Sequence, residues 1–433
     1  MSHVLIISPR FPPINAADMH RVRHSLPHFE KYGWKATVLA VEPDRIQDYR
    51  DELLLETLPA DADVRHVSAL PIDWTRAMGL GSVGFRSLPY YWRHGSQVIS
   101  REDIDLVYFS TTTFPVLVLG RYWKSRFGVP CVIDMQDPWF TGRHWDQSAG
   151  ERSMKAWAAH QLKRVLEPIA MKGTDAIISV SQGYCDALQH QYENVRAQNC
   201  SVIPFGASSV DFDVLDEKEI ENPIFRPSPD AIHIVQVGRA GDDMELAARS
   251  VCSALADGVE NRPELYRRVQ MHFVGTRYSP PGEGTKAVEP IAQSYGVGEH
   301  VSEQTTRVPY FQALQLLRDA DMLVLLGSED PKYTASKLYP YILARRPLLA
   351  VFHENSSVVD IMNETNAGPA VTYASAGADP SVVGGRVERE WTAMLERLPY
   401  EPDVDWGAFA PYTAREMTRR QVEVFDDVVQ MPS

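Results

Sequence analysis

"VLIISPRFPPINAADMHR", residues 4–21, joins a short apolar run to a segment with helical periodicity through a loop of prolines and small side chains. Asp18 suits the N-terminal cap of that helix. The apolar side chains that fall on one face of the helix are Met19, Val22, Leu26 and Phe29. Because parallel sheets bind ligands at the carboxyl ends of their strands, this stretch predicts a strand-loop-helix unit whose loop lies near a ligand.

Short β-branched runs recur along the chain, and a helix-length amphipathic segment follows each of them. This alternation is typical of parallel α/β sheets. The first set of predicted strands is His3–Ile7, Lys35–Val41, Asp105–Ser110, Pro130–Met135, Asp175–Val180 and Ser201–Pro204. The second set is Ile232–Val237, Gln270–Val274, Met322–Leu326, Leu348–Phe352 and Ala370–Tyr373. Each set has the size of one Rossmann-like domain.

The two strand sets predict the domain organisation. We expect an N-terminal Rossmann-like domain over residues 1–205 and a C-terminal one over residues 231–400. Residues 206–230 are rich in Asp, Glu, Pro and Ser and are interpreted as a linker. Residues 401–433 hold a strongly periodic segment, which we expect to be a tail helix packing across the domain junction.

Composition excludes several classes of protein. The net charge is −14, and basic and acidic side chains balance over residues 1–205, so the acidic excess lies in the rest of the chain. This disfavours binding to nucleic acid. The four cysteines have no metal-ligand spacing and are interpreted as buried thiols in a reducing compartment. With no secretory signal pattern and no apolar run of membrane length, a cytoplasmic location is expected.

Six motifs occur in a fixed order, namely "VLIISPRFPPINAADMHR", "VIDMQDPW", "DAIISVSQGY", "VIPFGAS", "VQVGRAGDD" and "SKLYPYILARRPLLAV". In this order the sequence resembles the retaining GT-B glycosyltransferases called glycosyl transferases group one, most closely the bacterial polysaccharide-assembly members. The resemblance implies two facing Rossmann-like domains and transfer of a sugar from a nucleoside diphosphate, of the UDP or GDP type, to an acceptor hydroxyl. It implies neither a cofactor nor a catalytic metal.

The resemblance implies where the donor binds. Arg239 stands where the family places a diphosphate-binding arginine, and Ser336 and Lys337 precede a helix whose first amides face a phosphate. Asn15 and Ala16, in the first loop, are expected near the same diphosphate. Each has a structural alternative: Arg239 an ion pair with Asp242 or Asp243, and Lys337 a solvated position at a helix start.

Two departures from the family pattern affect donor binding. A lysine usually follows a few residues after the arginine, but this chain has Asp242, Asp243 and Met244 there, and Pro340 stands where relatives carry a glutamate that binds the ribose. Glu329 or Glu354 could supply that carboxylate from nearby loops, with Arg307 and Val308 at the nucleoside. The departures leave two alternatives open, a catalytically inactive scaffold that binds sugar nucleotides and a sugar-nucleotide epimerase on the same fold.

The N-terminal domain is expected to receive the acceptor. Asp137 and Trp139 match the family's "DPW" loop, where a carboxylate accepts a hydrogen bond from a sugar hydroxyl or the proton of the acceptor, and the indole stacks on a sugar. His144 is the nearest histidine, and Asp134 is interpreted as structural. We expect Asp137, Arg239 and Lys337 to be the catalytic residues.

The acceptor class and assembly stay open at this stage. The acceptor is a glycan, a lipid-linked molecule or a small molecule, and the oligomeric state is unknown. Residues 84–95 and the basic segment 153–172 suggest peripheral contact with the inner face of a membrane.

Overall fold

The computed structural model describes residues 1–77, 79–139, 154–277, 284–331, 333 and 335–430. The chain divides into two compact units, and each contains one parallel sheet with helices around it. The first unit comprises Met1–Gly206 and Tyr412–Ser433, and the second comprises Ala207–Pro411. The predicted fold class, two Rossmann-like α/β units, is confirmed.

The first sheet has seven strands within the described residues, in the order β3-β2-β1-β4-β5-β6-β7, all parallel. Its strands are β1 Ser2–Ile7, β2 Trp34–Val41, β3 Asp63–Val67, β4 Leu106–Ser110, β5 Cys131–Met135, β6 Ala176–Ser179 and β7 Cys200–Val202. The central strands are buried on both faces, so they read as continuous apolar runs. The strand order reverses between β1 and β4.

The second sheet has six strands within the described ranges, in the order β10-β9-β8-β11-β12-β13. Its strands are β8 Ile232–Val237, β9 Val269–Val274, β10 Val301–Gln304, β11 Met322–Leu326, β12 Leu348–His353 and β13 Ala370–Tyr373. All pairings are parallel. The order reverses between β8 and β11, which repeats the arrangement of the first sheet.

Helices connect the strands of each unit. Those of the first unit are α1 His20–Ser25, α2 Ile72–Ala77, α3 Val83–Arg101, α4 Val118–Phe127, α5 Met154–Met171 and α6 Gln182–Gln191. Those of the second unit are α7 Val210–Glu217, α8 Glu245–Asn261, α9 Pro263–Tyr266, α10 Val288–Ser294, α11 Tyr310–Asp319, α12 Leu338–Leu343, α13 Ser357–Thr365, α14 Pro380–Leu395 and α15 Trp406–Phe409. The last helix, α16 Ala414–Gln430, returns to the first unit.

Helix α16 completes the core of the first unit. The Phe425 ring is fully buried and lies 5.0 Å from the Tyr108 ring and 5.4 Å from the Trp34 ring. The indole N–H of Trp34 donates to Asp426 at 2.9 Å. A Cβ atom on Gly206 would lie 2.6 Å from the Ala414 Cα atom, so the two segments of this unit touch at that glycine. Whether α16 also crosses the domain junction stays a prediction.

Three elements were not expected from the sequence. Strands β3 and β10 lie at sheet edges, where most side chains of β3 and alternate side chains of β10 reach solvent, so the apolar signal is weak. Helix α7 lies within the segment interpreted as a linker. Its Asp211 carboxylate accepts from the Tyr310 hydroxyl of α11 at 2.6 Å, so this part of the segment packs within the second unit.

The cysteines divide into two classes. Cys131 and Cys252 are buried free thiols, as predicted. The prediction is wrong for Cys185 and Cys200, which form a disulfide between α6 and β7. Fifteen residues separate this pair in sequence, and only the packing of the helix beside the strand brings the two sulfur atoms together. The cysteines therefore no longer argue for a reducing compartment.

No helix of the described residues has the length and hydropathy that crossing a membrane requires.

Candidate functional site

In each sheet, the loops that carry the candidate site residues lie at the point where the strand order reverses. In doubly wound folds this switch point, outside the carboxyl ends of the strands, is where ligands bind. In the second unit the loop after β8 carries Arg239, and the loop after β11 carries Ser328. In the first unit the loop after β1 carries Arg10, and Thr111 follows β4.

The switch point of the second unit contains a compact polar cluster. The Arg239 guanidinium donates to both oxygens of Asp243, at 2.5 and 2.8 Å. The Ser328 hydroxyl donates to the same carboxylate at 2.6 Å. These bonds lower the pKa of Asp243, because the guanidinium and hydroxyl donors favour the charged carboxylate. The ion pair that the sequence left as an alternative for Arg239 is therefore formed here with Asp243.

Lys337 approaches this cluster from the start of α12. Its ammonium group donates to the Arg239 carbonyl oxygen at 3.3 Å, and its side chain passes Gly238, whose φ of +112° suits glycine alone. Burial and the Arg239 guanidinium lower the pKa of Lys337 to about 7, and Asp243 opposes them. Lys337 thus places a second basic group beside Arg239.

Helix α12 is anchored beneath this loop by Tyr341. The Tyr341 hydroxyl accepts from the Val237 N–H at 2.6 Å and donates to the Val237 carbonyl at 2.9 Å. This holds the helix to the last residue of β8. Consequently Arg239 and Lys337 are carried by two segments that are bonded to each other.

The amides at the start of α12 differ from the expectation. The N–H groups of Leu338 and Tyr339 already donate to the carbonyl oxygens of Ala335 and Ser336, and Pro340 has no N–H. The expectation that the first amides of this helix are free for a phosphate is wrong at these positions. Ser336 itself is exposed, directly before Lys337.

The residues predicted for the nucleoside all follow strands of the second sheet. Arg307 and Val308 follow β10, Glu329 follows β11 and Glu354 follows β12, so all lie at its carboxyl edge. The side chain of Arg307 lies against Gly275 at the end of β9. Glu329 donates its backbone N–H to the Asp243 carbonyl at 2.7 Å, which places it beside the Arg239 cluster, whereas Glu354 is exposed beyond β12.

Asp18 is the central acidic group at the switch point of the first unit. Its Oδ2 accepts from the Thr111 hydroxyl at 3.0 Å and from the Thr112 N–H at 2.9 Å, and Arg10 lies 3.5 Å away. Its Oδ1 is buried and has no hydrogen-bond partner in the described part of the chain. Asp18 makes no capping bond, so the interpretation of Asp18 as a helix cap is wrong. The carboxylate instead joins the loop after β1 to the loop after β4.

Asp134 is part of the structural support beneath this point. Its carboxylate and the Arg21 guanidinium form an ion pair at 2.8 Å, and both side chains are fully buried. Ser110 and Gln136 donate to the same oxygen at 2.9 and 2.7 Å. Arg21 also donates to the Ile203 carbonyl at 2.7 Å. The structural interpretation of Asp134 agrees with this network.

Asp137 faces solvent at the end of β5. Partial desolvation, followed by the charge of Asp18, raises the pKa of Asp137. Its carboxylate makes no hydrogen bond to any residue that the structure describes. A raised pKa makes a carboxylate a better proton acceptor, which is the property that a general base requires.

Trp139 and the first loop lie in the same unit. Trp139 is buried, and its ring stacks on Phe114 with the centroids 5.2 Å apart, so only part of the indole remains for a ligand. Asn15 is tied down by its N–H, which donates to the Tyr49 carbonyl at 2.8 Å, and Ala16 packs against the core. The predicted site residue His144 lies outside the described residues.

A cavity of about 530 Å³ opens beside these groups, within the first unit. Its lining includes Arg10, Arg86, Thr113, Phe114 and Trp139. The volume falls in the range of small-molecule sites. Among the described residues, no three His, Cys, Asp or Glu side chains are grouped as metal ligands.

Three of these polar groups, Asp18, Asp243 and Ser328, are not among the predicted site residues. Asp18 had been assigned to a cap, Asp243 was named only as an alternative partner, and Ser328 follows an apolar strand with no motif around it. The strand ends were predictable, and a search for polar side chains directly after β4 and β11 would have found Thr111 and Ser328. Their shared carboxylate partners depend on the strand order.

Comparisons with known proteins agree with this architecture. Residues 20–206 match the model of the glycosyl transferase 4-like domain. No curated protein sequence gives a significant match. The solved structure of Anabaena HepE in complex with UDP is similar over 99% of this chain and 100% of that chain, with 15% identity and a TM-score of 0.58.

Two further solved structures are similar over nearly the whole chain. A glycosyltransferase from Rickettsia africae has 11% identity and a TM-score of 0.57, with 100% of this chain and 99% of that chain covered. WaaG, a glycosyltransferase involved in lipopolysaccharide biosynthesis, has 14% identity and a TM-score of 0.52, with 98% of each chain covered. The chain therefore has the fold of the GT-B glycosyltransferases, and its residues 20–206 match the glycosyl transferase 4-like family.

Proposed function

We propose that the protein is a retaining, metal-independent glycosyltransferase that moves a sugar from a nucleoside diphosphate to an acceptor hydroxyl in cell-surface glycan synthesis. The match of residues 20–206 and the fold shared with UDP-bound HepE support the transferase class and a UDP-type donor. The involvement of WaaG in lipopolysaccharide biosynthesis supports a role in glycan synthesis. The observation that carries the proposal is the cationic pair Arg239 and Lys337 at the switch point of the second sheet.

The second unit would bind the donor. Cleavage of the bond between sugar and phosphate leaves negative charge on the diphosphate, and fixed cations at that position lower the barrier. Arg239 offers a planar fork of donors that suits phosphate oxygens. Lys337 adds a positive charge. The ammonium group keeps its proton more firmly once the diphosphate is bound, because a neighbouring anion raises an ammonium pKa.

The first unit would receive the acceptor. Asp137 accepts a hydrogen bond or the proton of the acceptor hydroxyl as the new bond to the sugar forms. In a retaining reaction without a covalent enzyme intermediate, the departing phosphate and the incoming hydroxyl lie on the same face of the sugar. The protein then contributes position and electrostatics rather than a nucleophile.

Nucleotide binding and turnover test this proposal together. The shift in melting temperature with UDP, GDP, dTDP and ADP identifies the base, because a ligand that binds the folded state raises that temperature. Release of nucleoside diphosphate from a panel of sugar nucleotides, with and without acceptors, then measures transfer. The anomeric configuration of the product, read by NMR, decides whether the configuration at the anomeric carbon is retained.

Arg239→Met is the decisive variant, and Arg249→Met is its matched control. Arg249 is an arginine on α8 of the same unit whose guanidinium pairs with Glu245. We expect Arg239→Met to weaken nucleotide binding by about tenfold or more, since hydrogen bonds to charged groups contribute about 1.5–3 kcal/mol. Equal effects of the two variants would contradict the proposed role of Arg239.

The same assay separates the alternatives that Pro340 leaves open. A binding protein without turnover would show the melting shift and release no diphosphate with any acceptor. An epimerase would convert the sugar nucleotide in the absence of an acceptor. Diphosphate release that depends on an acceptor rules out both.

A further inference from the structure

The cavity of the first unit contains a buried cation that pairs with no acidic side chain in the described part of the chain. Arg86, on the first turns of α3, is only 4% exposed. Its guanidinium donates to two backbone carbonyls, Leu70 at 2.8 Å and Arg45 at 2.9 Å. It forms no ion pair with an acidic side chain of the described residues. A buried charge without a counter-ion is costly, so this arginine is unusual in a wall that ligand can reach.

The described groups around Arg86 do not balance its positive charge. Burial, and next the Arg45 guanidinium, lower the pKa of Arg86, which shows that its charged neighbour is another cation. The cavity wall does hold one carboxylate, Asp48, but that group pairs with Arg10 at 2.7 Å. Arg10 also faces Asp18 at 3.5 Å. Of the two arginines that line the cavity in the described ranges, Arg86 is therefore the one whose charge is left for a ligand.

Two further observations at the same cavity favour an anion. Ser82, Val83 and Phe85 line it, so the first turn of the 19-residue helix α3 faces the space, and Ser82 makes no capping bond. Helix N-termini carry free N–H groups and a partial positive charge. The Thr113 hydroxyl is buried in the wall and has no hydrogen-bond partner within the described ranges. A hydroxyl in that state can donate to a ligand oxygen.

The remaining wall is apolar. Its side chains include Ile46, Ile72, Phe85, Phe114, Trp139 and Leu166. The stacked rings of Phe114 and Trp139 form a flat part of this surface. A ligand that fills the cavity therefore has an apolar part next to its charged group.

We propose that this cavity binds the acceptor through an oxyanion, a phosphate or a carboxylate, held by Arg86, Thr113 and the first turn of α3. The aromatic wall takes an apolar part of the same molecule. Only the identification of this ligand as the acceptor rests on the proposed glycosyltransferase function. Binding of the anion itself does not depend on it.

Calorimetry with three small probes of similar size tests the proposal. Phenyl phosphate and benzoate carry the two anions on the same ring, and benzyl alcohol is their neutral counterpart. We expect at least one anion to bind about tenfold or more tightly than benzyl alcohol, and the preferred anion identifies the chemical source. Equal binding of all three probes, or binding of none, would overturn the proposal.

Two variants connect the binding to these residues. Arg86→Met is expected to weaken anion binding about tenfold to a hundredfold, whereas Arg93→Met, at an exposed position on the same helix, leaves it unchanged. Because Arg86 also holds two carbonyls, Thr113→Val serves as the second test. It keeps the shape of the side chain and removes a hydroxyl without a partner, so we expect an unchanged or higher melting temperature together with several-fold weaker anion binding. Anion binding that neither variant weakens would refute the assignment.

UDP binding, measured in the same preparations, separates this inference from the proposed function. UDP binding without binding of any anionic probe refutes the cavity assignment and leaves the glycosyltransferase intact. Anion binding without binding of any nucleotide or turnover supports the cavity assignment and refutes the glycosyltransferase. Activity with acceptors that bear the preferred anion, and none with neutral analogues, supports both.

Discussion

Asp243 holds both N–H groups on one edge of the Arg239 guanidinium, at 2.5 and 2.8 Å, where a diphosphate would bind. The ligand and this carboxylate therefore compete for the same donors. We expect Asp243→Asn to lower the UDP dissociation constant about threefold to tenfold, because the substitution removes a negative charge and releases the guanidinium. Calorimetry measures this dissociation constant. The control is Asp360→Asn, which replaces an exposed aspartate on α13. Weaker binding would show instead that Asp243 serves to orient the arginine.

Lys337 makes nucleotide affinity depend on pH. Its pKa is lowered from 10.5 to about 7, so the amine is charged below pH 7 and loses its proton as the pH rises. We expect UDP affinity to fall between pH 6.5 and 8.5 in the wild-type protein. Lys337→Met binds more weakly at pH 6.5 and loses most of this decline. A slope that is unchanged in the variant would exclude Lys337 as the titrating group.

In the proposed transfer reaction, we expect the ionisation of Asp137 to determine how kcat falls at low pH. Only its ionised form accepts a proton, so kcat falls as the pH drops through a pKa that desolvation and Asp18 have raised. We expect Asp18→Asn to move this limb to lower pH, because the variant removes the neighbouring negative charge. Asp44→Asn, at an exposed position, should leave the limb in place. The pH profiles of kcat in the three proteins decide the point.

The buried ion pair of Arg21 and Asp134 is expected to support the first unit. Removing one partner leaves an uncompensated buried charge, so Arg21→Met should lower the free energy of unfolding by about 3–5 kcal/mol. Arg50→Met, which breaks an exposed pair with Asp44, should change it by less than about 1 kcal/mol. Urea denaturation followed by circular dichroism measures both. Similar changes in the free energy of unfolding for the two variants would mean that water solvates the charge that Arg21→Met leaves on Asp134.

Two adjacent glycines of α14 give a test of packing in the second unit. A Cβ on Gly384 would lie 2.9 Å from the Ser250 carbonyl oxygen, whereas a Cβ on Gly385 meets open space. Gly384→Ala should destabilise by about 1–3 kcal/mol through overpacking, and Gly385→Ala should stabilise by about 0.5–1 kcal/mol through helix propensity. Thermal melts of the two variants should therefore shift in opposite directions.

Most of the fold was predictable from apolar periodicity, because strands buried on both faces appear as continuous β-branched runs. The edge strands β3 and β10 escaped this signal, since their exposed side chains interrupt the run. Helix α7 escaped because its two turns carry four acidic residues within a polar segment. These are elements whose conformation depends on neighbours that the local sequence does not reveal.

The site was predictable to a lesser extent. Strand ends predicted the loop positions, and the family resemblance singled out Arg239, Lys337 and Asp137 on them, whose roles stay predictions. The partner of each group could not, because Asp18 reaches Thr111 and Asp243 reaches Ser328 across the reversal in strand order. The cation of Arg86 was hidden in the same way, since its lack of an acidic partner is visible only once the surrounding elements are assembled.

The first unit is made from both ends of the chain, with Phe425 buried among the rings of Phe29, Trp34 and Tyr108. A fragment that stops at Gly206 would expose this aromatic cluster and is expected to aggregate. Because Gly206 touches Ala414, a peptide of a few residues can splice position 206 directly to position 412. Such a shortened protein, without the intervening 205 residues, would allow the first unit to be crystallised and titrated by itself.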